Sequence, residues 1–425
     1  MTPEVRDRID QIRQGIVPEG YKKTKSGILP ESWSVRTIAE CLERVEHPVE
    51  VQANEMYTQI GIRSHGKGLF YKEPVTGDSL GNKSVFWIEP DCFILNIVFA
   101  WEQAIGKTTQ AEAGMIGSHR FPMYRPINGS IDIDYLISYL LTKRGTDILE
   151  AASPGGAGRN RTLGQDRFMK SRIVLPPLDE QKKIAEILST QDKTIELQAR
   201  KIEELKRFKK GCLEKMFPRK GQKVPEKRFP GFTDDWEQRK LTEFVEFFSG
   251  LTYTPNDVQE NGTLVLRSSN VSNGEVVDAD NVYVNPQVVN SENVKVGDIV
   301  VVVRNGSRSL IGKHAQIKAF MPNTVIGAFM TGIRSECPKF TNALLNTSRF
   351  EEEIAMNMGA TINQITGYMF SKMEFKVPCL DEQKEIGEYF ENLDNLITLH
   401  QRKLEEMKKQ KKALMQLLLT GIERV

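Results

Sequence analysis

The 425-residue sequence lacks the marks of several large protein classes. It has no apolar run of about 18 residues, the length at which a membrane-spanning helix is considered. Its five cysteines form no CxxC pair, which argues against zinc ribbons and disulfide frameworks. Its five histidines show no HxH or HxxxH spacing, so we expect no histidine metal site. The first residues are charged where a signal peptide would be apolar, and we therefore expect a cytoplasmic protein without membrane contact.

Motifs for common catalytic sites are also missing. There is no GxSxG nucleophile turn and no convincing Cys/His or Ser/His/Asp grouping. The Asn/Asp-Pro-Pro-aromatic motif, which a DNA amino-methyltransferase would need to hold a flipped base, does not occur. The net charge of +2 is too small to indicate a partner, so local patches of charge must decide. The sequence predicts a protein without a catalytic site or a bound cofactor of its own.

One stretch of the sequence occurs twice. It reads LPPLDEQKKI at Leu175–Ile184 and VPCLDEQKEI at Val377–Ile386, 202 residues later. Weaker matches at similar offsets join Trp33 to Trp236 and Phe168 to Phe370. A chain of this length is expected to form at least two domains. A period of about 200 residues indicates a duplicated domain rather than a solenoid.

Each copy of this stretch begins a long charged segment with an apolar stripe. The stripe has the alternating spacing of four and three residues that is typical of a coiled-coil seam. We predict that the two helices pair with each other through a seam of Ile184, Leu188, Ile195, Ile202, Leu205, Ile386, Phe390, Leu393, Ile397, Leu404 and Met407. Lysines beside the seam, such as Lys209 and Lys412, are interpreted as flanking charges rather than DNA contacts.

The remaining sequence alternates short β-rich runs with glycine-containing turns, and a helix is predicted over Ile131–Leu149. The fold class is therefore α+β, with two globular α/β domains in tandem and two long helices in a coiled coil. The predicted segments are an amino-terminal helix at 1–17, a globular domain at 18–177, a long helix at 178–217, a second globular domain at 218–379 and a last long helix at 380–425.

Basic and amide residues gather in the predicted loops of both halves. One loop, Gly61–Lys67, has the GxxxxGK spacing of a phosphate loop, but Gly68 replaces the hydroxyl residue and a strand is predicted after it, so we do not expect a nucleotide site. Arginine and asparagine suit guanine and adenine edges, and glycine lets the backbone approach phosphate. The candidate DNA-binding residues are Arg63, His65, Lys67, Arg159, Arg161, Arg267, Asn270, Arg304, Asn305 and Arg308.

The two repeated stretches also contain ExK triplets, Glu180–Lys182 and Glu382–Lys384, a form seen in many nucleases. Neither triplet has a suitable acidic residue upstream. Both lie at helix starts, where acidic residues complement the helix dipole and cap the first turn. We interpret them as helix caps. A nuclease that uses these triplets, and a coiled-coil adaptor that does not bind DNA, remain as alternatives.

The two repeated helix starts, the long helices and the paired Trp33 and Trp236 together resemble the specificity subunit of type I restriction–modification enzymes, along essentially the whole chain. The resemblance implies that each globular half is a target-recognition domain that reads one part of a split, asymmetric double-stranded DNA site. It implies that the two helices form an antiparallel coiled coil. These helices would set the spacer between the two parts and bind two methyltransferase (modification) subunits, which restriction/translocase subunits then join for defence against foreign DNA. It also implies that S-adenosylmethionine, ATP and magnesium are bound by those partner subunits.

Overall fold

The computed structural model describes residues 2–155, 161–358 and 363–425. It divides into two compact units. Unit 1 is Met1–Leu197 with Leu404–Val425, and unit 2 is Gln198–Lys403. Each unit therefore contains one globular part and a portion of each long helix. None of the helices in the described residues is long and apolar enough to cross a membrane.

Unit 1 begins with a helix that the sequence predicted. Thr2 caps it, because the Thr2 hydroxyl accepts a hydrogen bond from Val5 N at 3.4 Å. The helices are α1 Pro3–Arg13, α2 Gly77–Leu80, α3 Ile133–Leu140, α4 Lys143–Ala152, α5 Gln165–Lys170 and α6 Leu178–Met216. The strands are β1 Tyr21–Thr24, β2 Gly27–Pro30, β3 Ser34–Thr37, β4 Leu42–Val45, β5 Met56–Tyr57, β6 Ile60–Ile62, β7 Leu69–Tyr71, β8 Val75–Thr76, β9 Val85–Trp87, β10 Phe93–Leu95, β11 Ile105–Lys107, β12 Ile116–Ser118, β13 Met123–Pro126 and β14 Arg172–Leu175.

A four-stranded antiparallel sheet, in the order β11-β10-β13-β4, forms the centre of unit 1. Its inner face is apolar, and Phe93 packs against Phe168 of α5 with ring centroids 6.1 Å apart. Leu418 and Leu419 of the carboxyl-terminal helix lie in the same core. The core of unit 1 therefore needs residues from both ends of the chain.

The predicted helix Ile131–Leu149 is wrong in one respect, because the structure has two helices there. Helix α3 ends at Leu140, and Thr142 caps the next helix by accepting a hydrogen bond from Gly145 N at 3.2 Å. The periodic apolar pattern runs through both helices, which is why the sequence pattern alone did not reveal the break.

Unit 2 has the helices α7 Pro338–Leu345, α8 Ser348–Asn357, α9 Gly367–Lys372 and α10 Leu380–Leu419, the last of which continues into unit 1. Its strands are β15 Glu237–Lys240, β16 Val245–Ser249, β17 Val258–Gln259, β18 Thr263–Leu266, β19 Val271–Ser272, β20 Glu275–Val276, β21 Val282–Val284, β22 Ile299–Val302, β23 His314–Gln316, β24 Thr324–Ile326, β25 Met330–Ser335 and β26 Glu374–Val377.

The central sheet of unit 2 repeats that of unit 1. Its order is β23-β22-β25-β16, which corresponds strand by strand to β11-β10-β13-β4. The pair β15-β26 likewise corresponds to β3-β14. Unit 2 also contains a second four-stranded sheet, β17-β21-β18-β24, in which β18 and β24 run parallel. The two units thus share the central sheet and this strand pair, and they differ in the second sheet.

The long helices run antiparallel within each unit. In unit 1, Lys411 Nζ of α10 lies 2.5 Å from Asp192 Oδ1 of α6, and Leu418 lies in the same core as Ile184. In unit 2, Lys209 Nζ lies 2.6 Å from Asp394 Oδ1. The predicted fold class, α+β with two tandem globular domains and two long helices, is confirmed. The predicted boundaries of the five segments stay predictions.

Candidate nucleic-acid interface

Three segments of unit 1 meet at one edge of the central sheet. They are the β6–β7 turn, the β10–β11 loop and the segment before α5. His65 N donates to Glu102 O at 2.8 Å, and Gly66 N donates to Gln103 O at 2.9 Å. Leu163 N donates to Ile97 O at 2.8 Å. These contacts bring together candidate residues that are about 100 positions apart in the sequence, and we name this group of segments the first loop cluster.

The predicted DNA-binding residues of unit 1 differ in the exposure of their side chains and in their contacts with neighbouring residues. Lys67 is exposed, and so is His65, whose φ of 62° places it in the left-handed region. Arg63 is exposed but is held over the Phe70 ring at 5.0 Å and donates to the Leu69 carbonyl oxygen. Arg161 lies over the Trp101 ring at 5.4 Å. Arg159 lies outside the described residues.

Equivalent segments of unit 2 form a second loop cluster, namely the turn after β18, the β22–β23 loop and the segment before α9. Ile365 N donates to Val303 O at 2.8 Å, the counterpart of the Leu163–Ile97 bond in unit 1. Asn305 Nδ2 donates to Ser268 Oγ at 3.1 Å and so joins the two predicted sets of this half. The repeat therefore extends from the sheets to the loops at their edges.

In the second loop cluster, Arg304 and Arg308 are exposed. Arg304 lies over the Phe329 ring at 5.0 Å, and Phe329 is itself exposed. Asn305 is half-buried, and its Oδ1 accepts from Ser307 N at 3.0 Å, which closes the turn. This cluster offers guanidinium groups beside an exposed aromatic ring, a combination that suits base edges and stacked bases.

Two predicted residues of unit 2 have structural contacts instead. Asn270 is fully buried, and its Nδ2 donates to Ala279 O at 2.7 Å and to Asn281 Oδ1 at 2.8 Å. Its amide is thus engaged within unit 2, and its role in DNA binding stays a prediction. Arg267 is half-buried and donates to Asp280 Oδ2 and to the Asp280 carbonyl oxygen, both at 2.6 Å. Arg267 and Asn270 hold the 267–281 segment in place.

Sequence reasoning missed the aromatic and acidic residues of the first loop cluster. Phe70, Phe99 and Phe121 line a cleft of about 420 Å³, together with Glu102 and Lys72. Neither Phe99 nor Glu102 belongs to a basic run, so a search for Arg, Lys and Asn passed over them. The available signal was the break in the apolar run after β10, where Phe99-Ala100-Trp101 is followed directly by Glu102.

The glutamates of the two ExK triplets are buried, and each forms an ion pair with an arginine. Arg424 donates to Glu180 Oε1 at 2.5 Å and to Oε2 at 2.9 Å, and Trp33 Nε1 also donates to Oε2 at 3.1 Å. Arg228 donates to Glu382 Oε1 at 2.6 Å and to Oε2 at 2.8 Å. These hydrogen bonds raise the pKa of Arg228 and of Arg424. Both glutamates lie in the first turn of their helices, as the sequence predicted, and each also forms a bidentate salt bridge.

The glutamines of the same stretches hold the turn from strand to helix. Gln181 Nε2 donates to Pro176 O at 3.0 Å, and Gln383 Nε2 donates to Pro378 O at 2.9 Å. Both side chains are buried. The repeated Glu-Gln pair is therefore explained by contacts inside each unit. Within the described residues, no group of three His, Cys, Asp or Glu side chains is suited to hold a metal ion.

The predicted seam residues are all buried or half-buried. Those nearest the helix starts lie in globular cores, since Ile184 and Leu188 belong to the core of unit 1, and Ile386 and Phe390 belong to that of unit 2. In unit 2 the seam includes a polar contact, where Gln198 Nε2 lies 2.9 Å from His400 Nδ1 and donates to His400 O at 2.8 Å. Such polar contacts fix the register of paired helices.

Two tandem units that each present a loop cluster, joined by long helices, are the architecture of a DNA-specificity protein. The family model described as "Type I restriction modification DNA specificity domain" matches residues 84–207 and 233–409. The chain belongs to this family, and the expected resemblance is confirmed. Its function is to recognise DNA sequence as a specificity subunit.

Relatives support this membership over nearly the full length. The chain is 27% identical to the type I restriction enzyme MjaVIII specificity subunit of Methanocaldococcus jannaschii, over 97% of this chain and 98% of that protein. It is 26% identical to the putative MjaX specificity subunit of the same organism, over 96% and 97%.

Solved structures show the same fold. A chain from a study of complex assembly and conformational transition of the type I R-M system has a TM-score of 0.57 and 17% identity, over 93% of this chain and 99% of that one. The S subunit from M. genitalium has a TM-score of 0.57 and 14% identity, over 91% and 96%.

Proposed function

We propose that the chain is the non-catalytic, DNA-reading subunit of a type I restriction–modification complex. Each unit reads one part of a bipartite, asymmetric site, and the paired helices set the spacer between the parts. The observation that carries this proposal is the repeat of one central sheet with two loop clusters of different composition. A shared scaffold supplies the same mode of docking twice, while different loops supply different base contacts.

The same proposal assigns the chemistry to partners. The chain binds double-stranded DNA and two methyltransferase subunits, and restriction/translocase subunits join them in the cytoplasm. S-adenosylmethionine, ATP and magnesium are bound by those partners and not by this chain. The named relatives, which are specificity subunits, support this division of roles. So do the ion pairs at Glu180 and Glu382, which occupy the carboxylates that a nuclease would use.

Binding to duplex DNA is expected to weaken steeply with salt, because phosphate contacts release counterions. Titration of a labelled duplex against the purified full chain at several salt concentrations measures the slope of log K against log[salt]. Lys67→Ala and Arg308→Ala are each expected to reduce the magnitude of that slope by about one. Lys412→Ala, which removes an exposed lysine of α10, serves as the matched control.

An adaptor without DNA contacts would show no salt-dependent duplex binding, and that result would refute the proposal. If the salt slope is the same in Lys67→Ala, Arg308→Ala and Lys412→Ala as in the wild type, the two loop residues do not contact DNA phosphates.

A further inference from the structure

The β10–β11 loop of unit 1 and the β22–β23 loop of unit 2 occupy equivalent places in the fold. Each joins the same two strands of the central sheet. Each also accepts a backbone hydrogen bond from the segment that precedes the next short helix, at Ile97 in unit 1 and Val303 in unit 2. The two loops are therefore structurally equivalent, and their sequences can be compared directly.

The charges of these loops are opposite. Residues 96–104, with sequence NIVFAWEQA, contain no lysine or arginine and one acidic residue, Glu102. Residues 303–313, with sequence VRNGSRSLIGK, contain no acidic residue and three basic ones, Arg304, Arg308 and Lys313. Both units have the same central sheet, so folding does not require the loops to differ in charge. We therefore attribute the difference in charge to what each loop contacts.

Glu102 is placed at the aromatic cleft of unit 1. Its side chain is half-buried and lines the cleft beside Phe70 and Phe99. Its Oε2 accepts from Ser64 Oγ at 3.0 Å, which fixes the carboxylate against the β6–β7 turn. Its Oε1 makes no hydrogen bond to the described residues 2–155, 161–358 and 363–425. Ser64 thus orients one oxygen, and the other has no hydrogen-bond partner in that described part of the chain.

A carboxylate at a DNA-facing surface is repelled by phosphates, so it weakens binding unless it accepts hydrogen bonds from the DNA. In the major groove the bases that offer an amino donor are cytosine, through N4, and adenine, through N6, and carboxylates accept from such groups. Guanine O6 and thymine O4 are acceptors, and a carboxylate repels them. An oriented carboxylate therefore selects between these two pairs of bases.

We propose that Glu102 reads the amino group of a cytosine, N4, in the part of the site that unit 1 recognises. Phe99, 37% exposed at the cleft, packs against the base or its neighbour. The inference rests on the proposed function and adds one named contact to it.

Glu102→Gln is the sharpest test, because glutamine keeps the size of the side chain and an acceptor oxygen for Ser64 but adds a donor. The full chain is assayed with its methyltransferase partners on duplexes that carry each of the four bases at every recognised position. The wild type is expected to prefer cytosine at one position of one half-site, and the variant to lose on the order of tenfold of that preference. Affinity for unrelated duplex is expected to rise, because a repelling charge is gone.

Glu150→Gln removes an exposed charge from α4 of the same unit and is the matched control, with preference expected to stay as in the wild type. Unchanged base preference in Glu102→Gln would overturn the inference and leave Glu102 as an anchor for Ser64, while the bipartite motif of the wild type would still support the proposed function. Loss of specific and unrelated binding together would also overturn it, since that pattern indicates damage to the loop. A wild type that recognises no bipartite motif would refute the proposed function itself.

Discussion

Glu382→Ala is expected to lower the free energy of unfolding of unit 2 by about 3–5 kcal/mol, the usual cost of removing one partner from a buried ion pair. The Glu382 side chain is 0% exposed, and its partner Arg228 is 15% exposed. The substitution leaves the Arg228 guanidinium without its two hydrogen-bond acceptors in a largely water-free place. Chemical denaturation of the full chain measures the loss, and amide hydrogen exchange locates it in unit 2.

The equivalent pair in unit 1 supplies a matched comparison. Arg424 is 39% exposed, so water can solvate it after Glu180→Ala and the loss is expected to be smaller. The double variant Arg228→Ala/Glu382→Ala is expected to recover part of the loss, because no uncompensated charge remains. Equal stability of Glu382→Ala and wild type would contradict the structural role. A nuclease that uses these residues would show lost DNA cleavage with unchanged unfolding.

Lengthening both long helices by one heptad is expected to lengthen the permitted spacer between half-sites by about three base pairs. Seven helical residues rise about 10.5 Å, and duplex DNA rises about 3.4 Å per base pair. The insertions belong near Ile195 in α6 and, at the matching level, near His400 in α10, because Gln198 and His400 are in direct contact. Sequencing of methylated sites in cells that carry the variant measures the new spacer.

Insertion into α6 alone is the control for this experiment. It shifts the helices out of register at Gln198, so we expect loss of methylation rather than a new spacer. Both half-site sequences should be unchanged in the matched variant, because neither loop cluster is altered. A matched variant that keeps the original spacer would defeat the role of the helices as a ruler.

The sequence allowed the duplicated architecture to be predicted because duplication leaves the same residues at the same structural points. The two Glu-Gln pairs, the two tryptophans and the seam residues all occur at offsets of 202 or 203. What the sequence did not show is the partner of each buried glutamate. Arg228 and Arg424 are separated by 196 residues, so they lie outside the repeat register, and each follows a different long helix.

The candidate interface was only partly predictable, because residue type does not show whether a side chain is exposed or is used inside the fold. Basic residues in loops are expected to contact DNA, and the candidates Lys67, Arg304 and Arg308 are exposed in the structure. Asn270 satisfies the same compositional rule, yet its amide is used by the chain itself, and no sequence pattern distinguishes these two uses. Glu102 is acidic, so this rule does not select it. The sequence also does not show that Glu102 lies beside the β6–β7 turn, where it contacts Ser64.

Mapping of methylated bases in host DNA, with and without this gene, tests the central claim most directly. Two tandem reading units predict a bipartite, asymmetric motif with a fixed spacer, present only when the gene and its partner subunits are present. Methylation that is the same in both strains would contradict the account.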